Sequence, residues 1–316
     1  MKVLVTDKSA EEALQVLKEA GHEVIYDEMD AETLLKEIPK YDGLMVRSRT
    51  KVITNVVNAG AKGNLKVIGR AGIGVDNIDI KTAGKQGIPV VNSPSGATAS
   101  VAELAFAHML GLLRFIPKAD NTMKKGEWIK KQLKGNELLS KTLGLIGSGG
   151  IAQHTAKIGK GFGMNVLVYS PHCTEEKARK MGAKLATFED LLKKSDFVSL
   201  HVPHTDNSHY LIDEKALSLM KNSAYLIDVS RGGVVNQKAL YKALEDNKIA
   251  GAGIDVFEKE PPENNPFIEF DNVILSPHIG ANTKEGQIKA GTVCAEQINK
   301  VLRGEEPDFC VNKNLL

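Results

Sequence analysis

Arg231, Glu260 and His278 each follow closely on an apolar, β-branched run, in Val229-Ser-Arg-Gly-Gly, Asp255-Val-Phe-Glu-Lys-Glu-Pro-Pro and Leu275-Ser-Pro-His-Ile-Gly. A histidine beside a carboxylate is stabilised as imidazolium, so it gives a proton near neutral pH and takes one back in the reverse direction. A nearby arginine holds a carboxylate bidentately and polarises an adjacent carbonyl. Singly, each has an ordinary structural reading: a surface ion pair for Arg231, a helix-start charge for Glu260, a loop residue after Pro277 for His278. Taken together they form the expected catalytic set, and Glu258 is the local rival to Glu260.

A second cluster is suited to phosphate. Thr142-Leu-Gly-Leu-Ile-Gly147-Ser-Gly149-Gly150-Ile151-Ala152 sets a glycine turn after an apolar strand and before a helix. Gly147 permits the tight turn, Gly149 lets a pyrophosphate approach the backbone, and small Ala152 lets helix and strand pack closely. The free N–H groups of the helix start then face the phosphates. The next strand ends at Ser170, with Pro171, His172, Cys173 and Thr174 after it, where an acid would bind the adenosine ribose. With no carboxylate there to repel a 2′-phosphate, NAD and NADP both remain open.

The elements that must carry these residues are short apolar strands alternating with amphipathic stretches. Strands are expected at 2–6, 24–26, 43–46, 67–68, 89–91, 142–146, 166–169, 197–200, 225–229, 250–254 and 273–275. Continuously apolar strands separated by helices imply parallel sheets covered on both faces, an α/β class. Helical stretches at 98–113 and 283–302 break the rhythm, and the last has no strand after it. The expected organisation is two Rossmann-like or flavodoxin-like parallel-sheet domains. A nucleotide domain at 93–283 is inserted into a substrate domain made of 1–92 plus 284–316, and the tail after Pro307 is loosely ordered.

Composition narrows the classes. With 41 Lys+Arg against 39 Asp+Glu in 316 residues, the net charge of +2 argues against a partner held by bulk electrostatics, whether nucleic acid or anionic membrane. The run Lys124, Lys125, Lys130, Lys131, Lys134 reads as a solvated face. The apolar stretch 101–113 is too short to span a bilayer. Three cysteines (Cys173, Cys294 and Cys310) without metal-ligand spacing predict a cytoplasmic protein with neither a disulfide framework nor a metal site.

Over essentially its whole length the chain resembles the D-isomer-specific 2-hydroxyacid dehydrogenase family. The resemblance rests on Val46-Arg-Ser48, Gly69-Arg-Ala-Gly-Ile-Gly-Val-Asp-Asn-Ile-Asp79, Asn92-Ser-Pro-Ser-Gly, Ser100-Val-Ala-Glu-Leu104 and Gly126-Glu-Trp128, and continues through the glycine turn, His201-Val-Pro203, Ser230-Arg-Gly-Gly233, Gly253-Ile-Asp-Val-Phe257 and Ser276-Pro-His-Ile-Gly280. The first hundred residues are most similar to its phosphoglycerate-oxidising branch.

The resemblance implies a homodimer with an interdomain active site and an NAD(P)-dependent exchange of a D-2-hydroxy acid with its 2-keto acid. It assigns Arg231 to substrate binding and carbonyl polarisation, His278 to acid/base catalysis and Glu260 to orienting that histidine. Expected cofactor contacts are Gly147, Gly149, Gly150, Ile151, Ser170, Pro171, His201, Val202, Pro203, Val229, Asp255 and Gly280, with Asp255 at the nicotinamide carboxamide. Expected substrate contacts are Arg47, Ser48, Arg70, Gly72, Ile73, Gly74 and Asn92, with Arg49 an extra cation and a lysine near 130 a further phosphate contact. Four positions depart from the family pattern: Ser170 for an acid, Gly150 for an arginine, Ala97 for an asparagine and His204 for a leucine. With the chain ending at 316, no regulatory domain and no serine feedback are expected.

For the substrate, 3-phosphoglycerate/3-phosphohydroxypyruvate comes first, because Arg47, Arg49 and Arg70 would collect a phosphate, although Arg49 and Arg70 have a rival reading as structural salt bridges. Glyoxylate, hydroxypyruvate or another unphosphorylated acid is the alternative. A non-catalytic NAD(H)-sensing protein on the same fold is a third reading, disfavoured by the intact Arg231, Glu260 and His278 set.

Overall fold

The apolar runs form strands that hide both faces, as parallel sheets require. A computed structural model describes residues 1–316. The chain divides into two units, Met1–Thr98 with Ala281–Leu316, and Ala99–Gly280. The first division lies beyond the 92/93 position read from sequence, because the 93–97 loop stays tied to its own unit: Ser93 N–H donates to Gly72 O at 3.0 Å, and Gly96 packs on Ala290.

In the first unit, β1 (Lys2–Val5), β2 (Glu23–Tyr26), β3 (Gly43–Val46), β4 (Val67–Arg70) and β5 (Val90–Asn92) pair in parallel in the order β2-β1-β3-β4-β5. Alternation along the strands feeds two cores: Leu4, Leu44 and Val46 meet Leu34 and Val56 on one face, while Val3, Val5 and Met45 meet Leu17 and Ile298 on the other. The helices are α1 (Glu11–Glu19), α2 (Ala31–Glu37), α3 (Thr54–Ala61) and α4 (Ile80–Lys85), joined by the chain's last helix. Asp30 and Asp79 cap α2 and α4 by accepting the N–H groups of Thr33 and Thr82.

The tail after Pro307 is ordered, contrary to the sequence reading. Cys310 bridges Val91 antiparallel, Val311 N–H donates to Val90 O at 2.8 Å, and Asn312 is 1% exposed. The open edge of β5 offers unpaired backbone groups, and the tail satisfies them.

In the second unit, β6 (Thr142–Ile146), β7 (Asn165–Tyr169), β8 (Lys184–Leu185), β9 (Phe197–Leu200), β10 (Tyr225–Asp228), β11 (Gly251–Ile254) and β12 (Val273–Leu275) pair in parallel in the order β12-β11-β10-β9-β6-β7-β8. The strand order reverses between β6 and β9, which opens a crevice at the carboxyl ends of those strands. The helices are α5 (Thr98–Arg114), α6 (Ile116–Lys124), α7 (Gly150–Gly161), α8 (Glu175–Lys180), α9 (Phe188–Lys194), α10 (Glu214–Leu219) and α11 (Gln237–Glu245); α12 (Lys284–Leu302) returns to the first unit. Two-residue β8 is the strand that sequence patterning missed, being too short to show a period. No single helix is long and apolar enough to cross a membrane.

Candidate active site

Within the second unit, β10, β11 and β12 end side by side, and the residues after them carry the catalytic candidates. His278 Nδ1 lies 2.8 Å from Glu260 Oε2, and the other Glu260 oxygen accepts the Phe257 N–H at 3.1 Å. Burial pushes the Glu260 carboxyl up, but the His278 hydrogen bond, the Phe257 N–H and the charges of His278 and Arg231 outweigh it, so its pKa lies below the usual value. An ionised Glu260 only accepts, which puts a proton on His278 Nδ1 and leaves Nε2 to exchange one.

His278 sits in the left-handed region at φ +52°, a conformation that costs a non-glycine residue of order 1 kcal/mol and needs surrounding bonds to hold it. Asp255 supplies them. Its carbonyl accepts the His278 N–H at 2.8 Å, and its carboxylate accepts Ile279 N–H at 2.9 Å, Gly280 N–H at 3.0 Å and the Ser276 hydroxyl at 2.6 Å. Asp255 is 1% exposed, and three of its four lone-pair positions are taken by this loop. The role expected of it from sequence, a hydrogen bond to a carboxamide, therefore has one acceptor position left.

Arg231 donates from Nη1 to Ser230 O at 2.7 Å. Ser230 is anchored in turn, its N–H and hydroxyl donating to Asp228 Oδ1 at 3.0 and 2.7 Å. Burial pushes the Asp228 carboxyl up to about 7, with nearby Asp255 adding to the rise and Ser230 and Arg231 opposing it. Glu258, the rival acid, accepts Gln237 N–H at 3.0 Å and the Tyr210 hydroxyl at 3.3 Å. Of the two acids, Glu260 is the one hydrogen-bonded to His278.

The glycine turn lies at the strand-order reversal. Gly147 has φ +113°, and a Cβ there would stand 2.5 Å from His201 O, so only glycine fits where β6 and β9 emerge together. At Gly149 an added Cβ would meet nothing within 4 Å. The space over the turn is open, and α7 begins beneath it at Gly150 with its first N–H groups unpaired in the helix. Buried Ala152 packs the helix onto the sheet. Open space, a glycine approach and a helix start fit a dinucleotide's pyrophosphate.

Other expected contacts differ in what they offer. Ser170 and Val202 are half-buried, as is Ile151; Pro171 and Pro203 are exposed, and Val229 is buried. The His201 ring turns inward, with Nε2 3.0 Å from Ser199 Oγ, and burial pushes its pKa down to about 3, so it is neutral. From sequence, Lys177 and Lys180 read either as cations near the ribose end or as an exposed helix face; in the structure they line a groove of about 630 Å³ between α7 and α8, together with His154, Lys157 and Lys160.

In the first unit, the loop after β4 carries Gly72, Ile73 and Gly74. Asn92 Nδ2 donates to Ile73 O at 2.7 Å, while the N–H groups of Ile73 and Gly74 have no acceptor within the chain. Such adjacent N–H groups suit an anion. Arg70 lies against Gly72 and donates to Ala71 O at 3.3 Å. Arg47 donates to Lys8 O at 2.9 Å, and Ser48 beside it is exposed. Arg49 pairs with buried Asp7 at 3.1 Å and also donates to Thr6 O. For Arg49 the structural reading is the one observed.

Comparison with known proteins adds three relatives. The family model for "D-isomer specific 2-hydroxyacid dehydrogenase, NAD binding domain" matches residues 106–280. D-3-phosphoglycerate dehydrogenase of Methanocaldococcus jannaschii is 47% identical over 313 residues, covering 99% of this chain and 59% of the relative. The chain thus spans less than two thirds of that relative's length. Hydroxypyruvate reductase of Thermotoga maritima is 42% identical over 305 residues, covering 95% of this chain and 98% of the relative. The crystal structure of a glyoxylate reductase from Paecilomyes thermophila matches with a TM-score of 0.88 at 26% identity, over 99% of each chain.

Proposed function

The chain belongs to the D-isomer-specific 2-hydroxyacid dehydrogenase family, and from that premise we propose that it interconverts a D-2-hydroxy acid and its 2-keto acid using NAD(H) or NADP(H). The second unit is the nucleotide domain in this reading and the first the substrate domain. The observation that carries it is the 2.8 Å pairing of His278 with Glu260 in the unit that also bears the open glycine turn.

When bound, the nicotinamide supplies or accepts the hydride. The chain's own residues do the rest. The N–H groups of Ile73 and Gly74 serve as an anion site of the first unit, and Arg231, in the second, binds a carboxylate and polarises the adjacent carbonyl. In reduction His278 Nε2 gives its proton to the alkoxide oxygen that forms at C2, while Glu260 holds the ring by its Nδ1. In oxidation neutral His278 removes the same proton.

The first substrate pair in this proposal is 3-phosphoglycerate and 3-phosphohydroxypyruvate, supported by the 47% identical relative and by Arg47 and Arg70 near the anion loop. A second reading, an unphosphorylated acid such as hydroxypyruvate or glyoxylate, is favoured by the commitment of Arg49 to Asp7 and by the hydroxypyruvate reductase relative. Rates on 3-phosphohydroxypyruvate, hydroxypyruvate and glyoxylate with NADH and NADPH separate the two. A clear preference for the phosphorylated acid is expected, and equal rates on it and plain hydroxypyruvate overturn the first reading. His278→Ala is expected to lower turnover at least ~100-fold; near-normal turnover contradicts the assigned proton donor.

The protein is further proposed to be a cytoplasmic homodimer. Three free thiols accord with a reducing compartment, and an exposed apolar patch around Trp128 supports self-association.

A further inference from the structure

We infer that His108, on α5, is a positioning residue that holds the His278 loop in place through Ser276 and Asp255. His108 is 3% exposed, and its Nε2 lies 2.9 Å from Ser276 Oγ. Ser276 Oγ lies 2.6 Å from Asp255 Oδ1, to which it donates. A hydroxyl has one proton to give, and here the carboxylate receives it. Toward His108 the oxygen of Ser276 can only accept, so His108 carries its proton on Nε2 and Nδ1 is bare.

The packing agrees with that tautomer. His108 Nδ1 is buried without a partner, so a proton there would have no acceptor. The side chain packs against β11, where a Cβ at Gly253 would stand 2.7 Å from His108 Cβ and 2.9 Å from Nδ1. Glycine at 253 therefore admits the ring two residues before Asp255. Burial also lowers the ring's pKa, with Asp255 pulling the other way.

The relay ends on the catalytic loop. Asp255 takes the His278 N–H on its carbonyl and the Ile279 and Gly280 N–H groups on its carboxylate. The loop around His278 thus hangs on Asp255, whose side chain is fixed from behind by Ser276, while the His278 N–H is shared with Ser276 O at 3.1 Å and its ring pairs with Glu260. His108 fixes the Ser276 hydroxyl, since an unanchored rotor would share its proton among other acceptors. The histidine touches no reacting atom in this account; it acts through two others.

The inference rests on the dehydrogenase reading only for its kinetic consequence, so the test has two readouts. Amide hydrogen exchange of the 276–282 segment in the cofactor-free protein reports the loop directly. His108→Leu is expected to speed exchange there by about tenfold or more, and Ser276→Ala to do the same. His108→Gln, which keeps a donor near the Nε2 position, and Ser276→Thr, which keeps the hydroxyl, are expected to stay close to the unsubstituted protein. In turnover, His108→Leu is expected to lower kcat about tenfold with KM for the keto acid within about twofold. Adding it to Ser276→Ala should cost nothing further, because both remove one relay. Unchanged loop exchange in His108→Leu, or additive effects of the two substitutions, overturns the inference. His108→Met replaces the leucine variant if that one does not fold. A protein inactive on every 2-keto acid overturns the functional reading instead, and the exchange measurement still decides the role of His108.

Discussion

Asp228 closes β10 beneath Arg231, and its environment makes the folded chain hold a proton that the unfolded chain releases. Burial and the neighbouring Asp255 carry its pKa from 3.8 to about 7. A carboxyl raised in the folded state weakens the fold as pH climbs from about 4 to about 7, with the cost complete above that and absent below. Asp228→Asn keeps an oxygen for the Ser230 donors without the charge. It is expected to melt higher than the unsubstituted protein at pH 7.5 and to converge with it below pH 4. A melting difference that is the same at both pH values contradicts the assignment. At this scale local spacing was legible in residue type but not in partner, and it was the family resemblance that singled out Glu260. Glu258 and Glu260 stand two positions apart after the same strand, and only the path of the loop sends one to Gln237 and Tyr210 and the other to His278. Arg49 likewise reads either as a phosphate cation or as a structural ion pair until Asp7 is folded beneath it.

Strands and helices were more legible, because their signals are local. Apolar runs mark buried parallel strands, and Asp30, Asp79, Thr174, Thr187, Asp213, Asn236 and Thr283 each accept a backbone N–H at a helix start. The C-terminal segment was misread since its order comes from the edge of β5, far away in the chain. Asn312 Oδ1 accepts Val90 N–H at 2.8 Å and its Nδ2 donates to Ile88 O at 2.9 Å. Removing the side chain leaves two buried backbone groups unpaired, at about 1–3 kcal/mol each. Asn312→Ala is therefore expected to lower unfolding stability by about 2 kcal/mol or more in urea titration, and a loss below ~0.5 kcal/mol contradicts the clamp.

For the molecule as a whole, the surface at 116–133 is the feature that a single chain leaves unexplained. Trp128 is 75% exposed, Ile116 57% and Met123 55%, and Trp128, Met123, Ile129 and Leu133 line a hollow of about 350 Å³. A second copy of the chain is the occupant proposed above. Sedimentation at micromolar concentration is expected to give a dimer, and Trp128→Ser with Met123→Ser a monomer that keeps its secondary structure. A monomeric unsubstituted protein removes the proposal.

Local spacing along the chain was enough to mark the α/β class, the glycine turn and the three polar residues that follow β10, β11 and β12. Strand periodicity, helix caps and turn glycines are properties of a few consecutive residues. Partner choice is not. His278 meets an acid 18 positions away, and His108 reaches Ser276 across 168. Contacts of that span exist only once parallel strands stand side by side. That is why the acid beside His278, the duty of Arg49 and the relay from α5 belong to the folded chain.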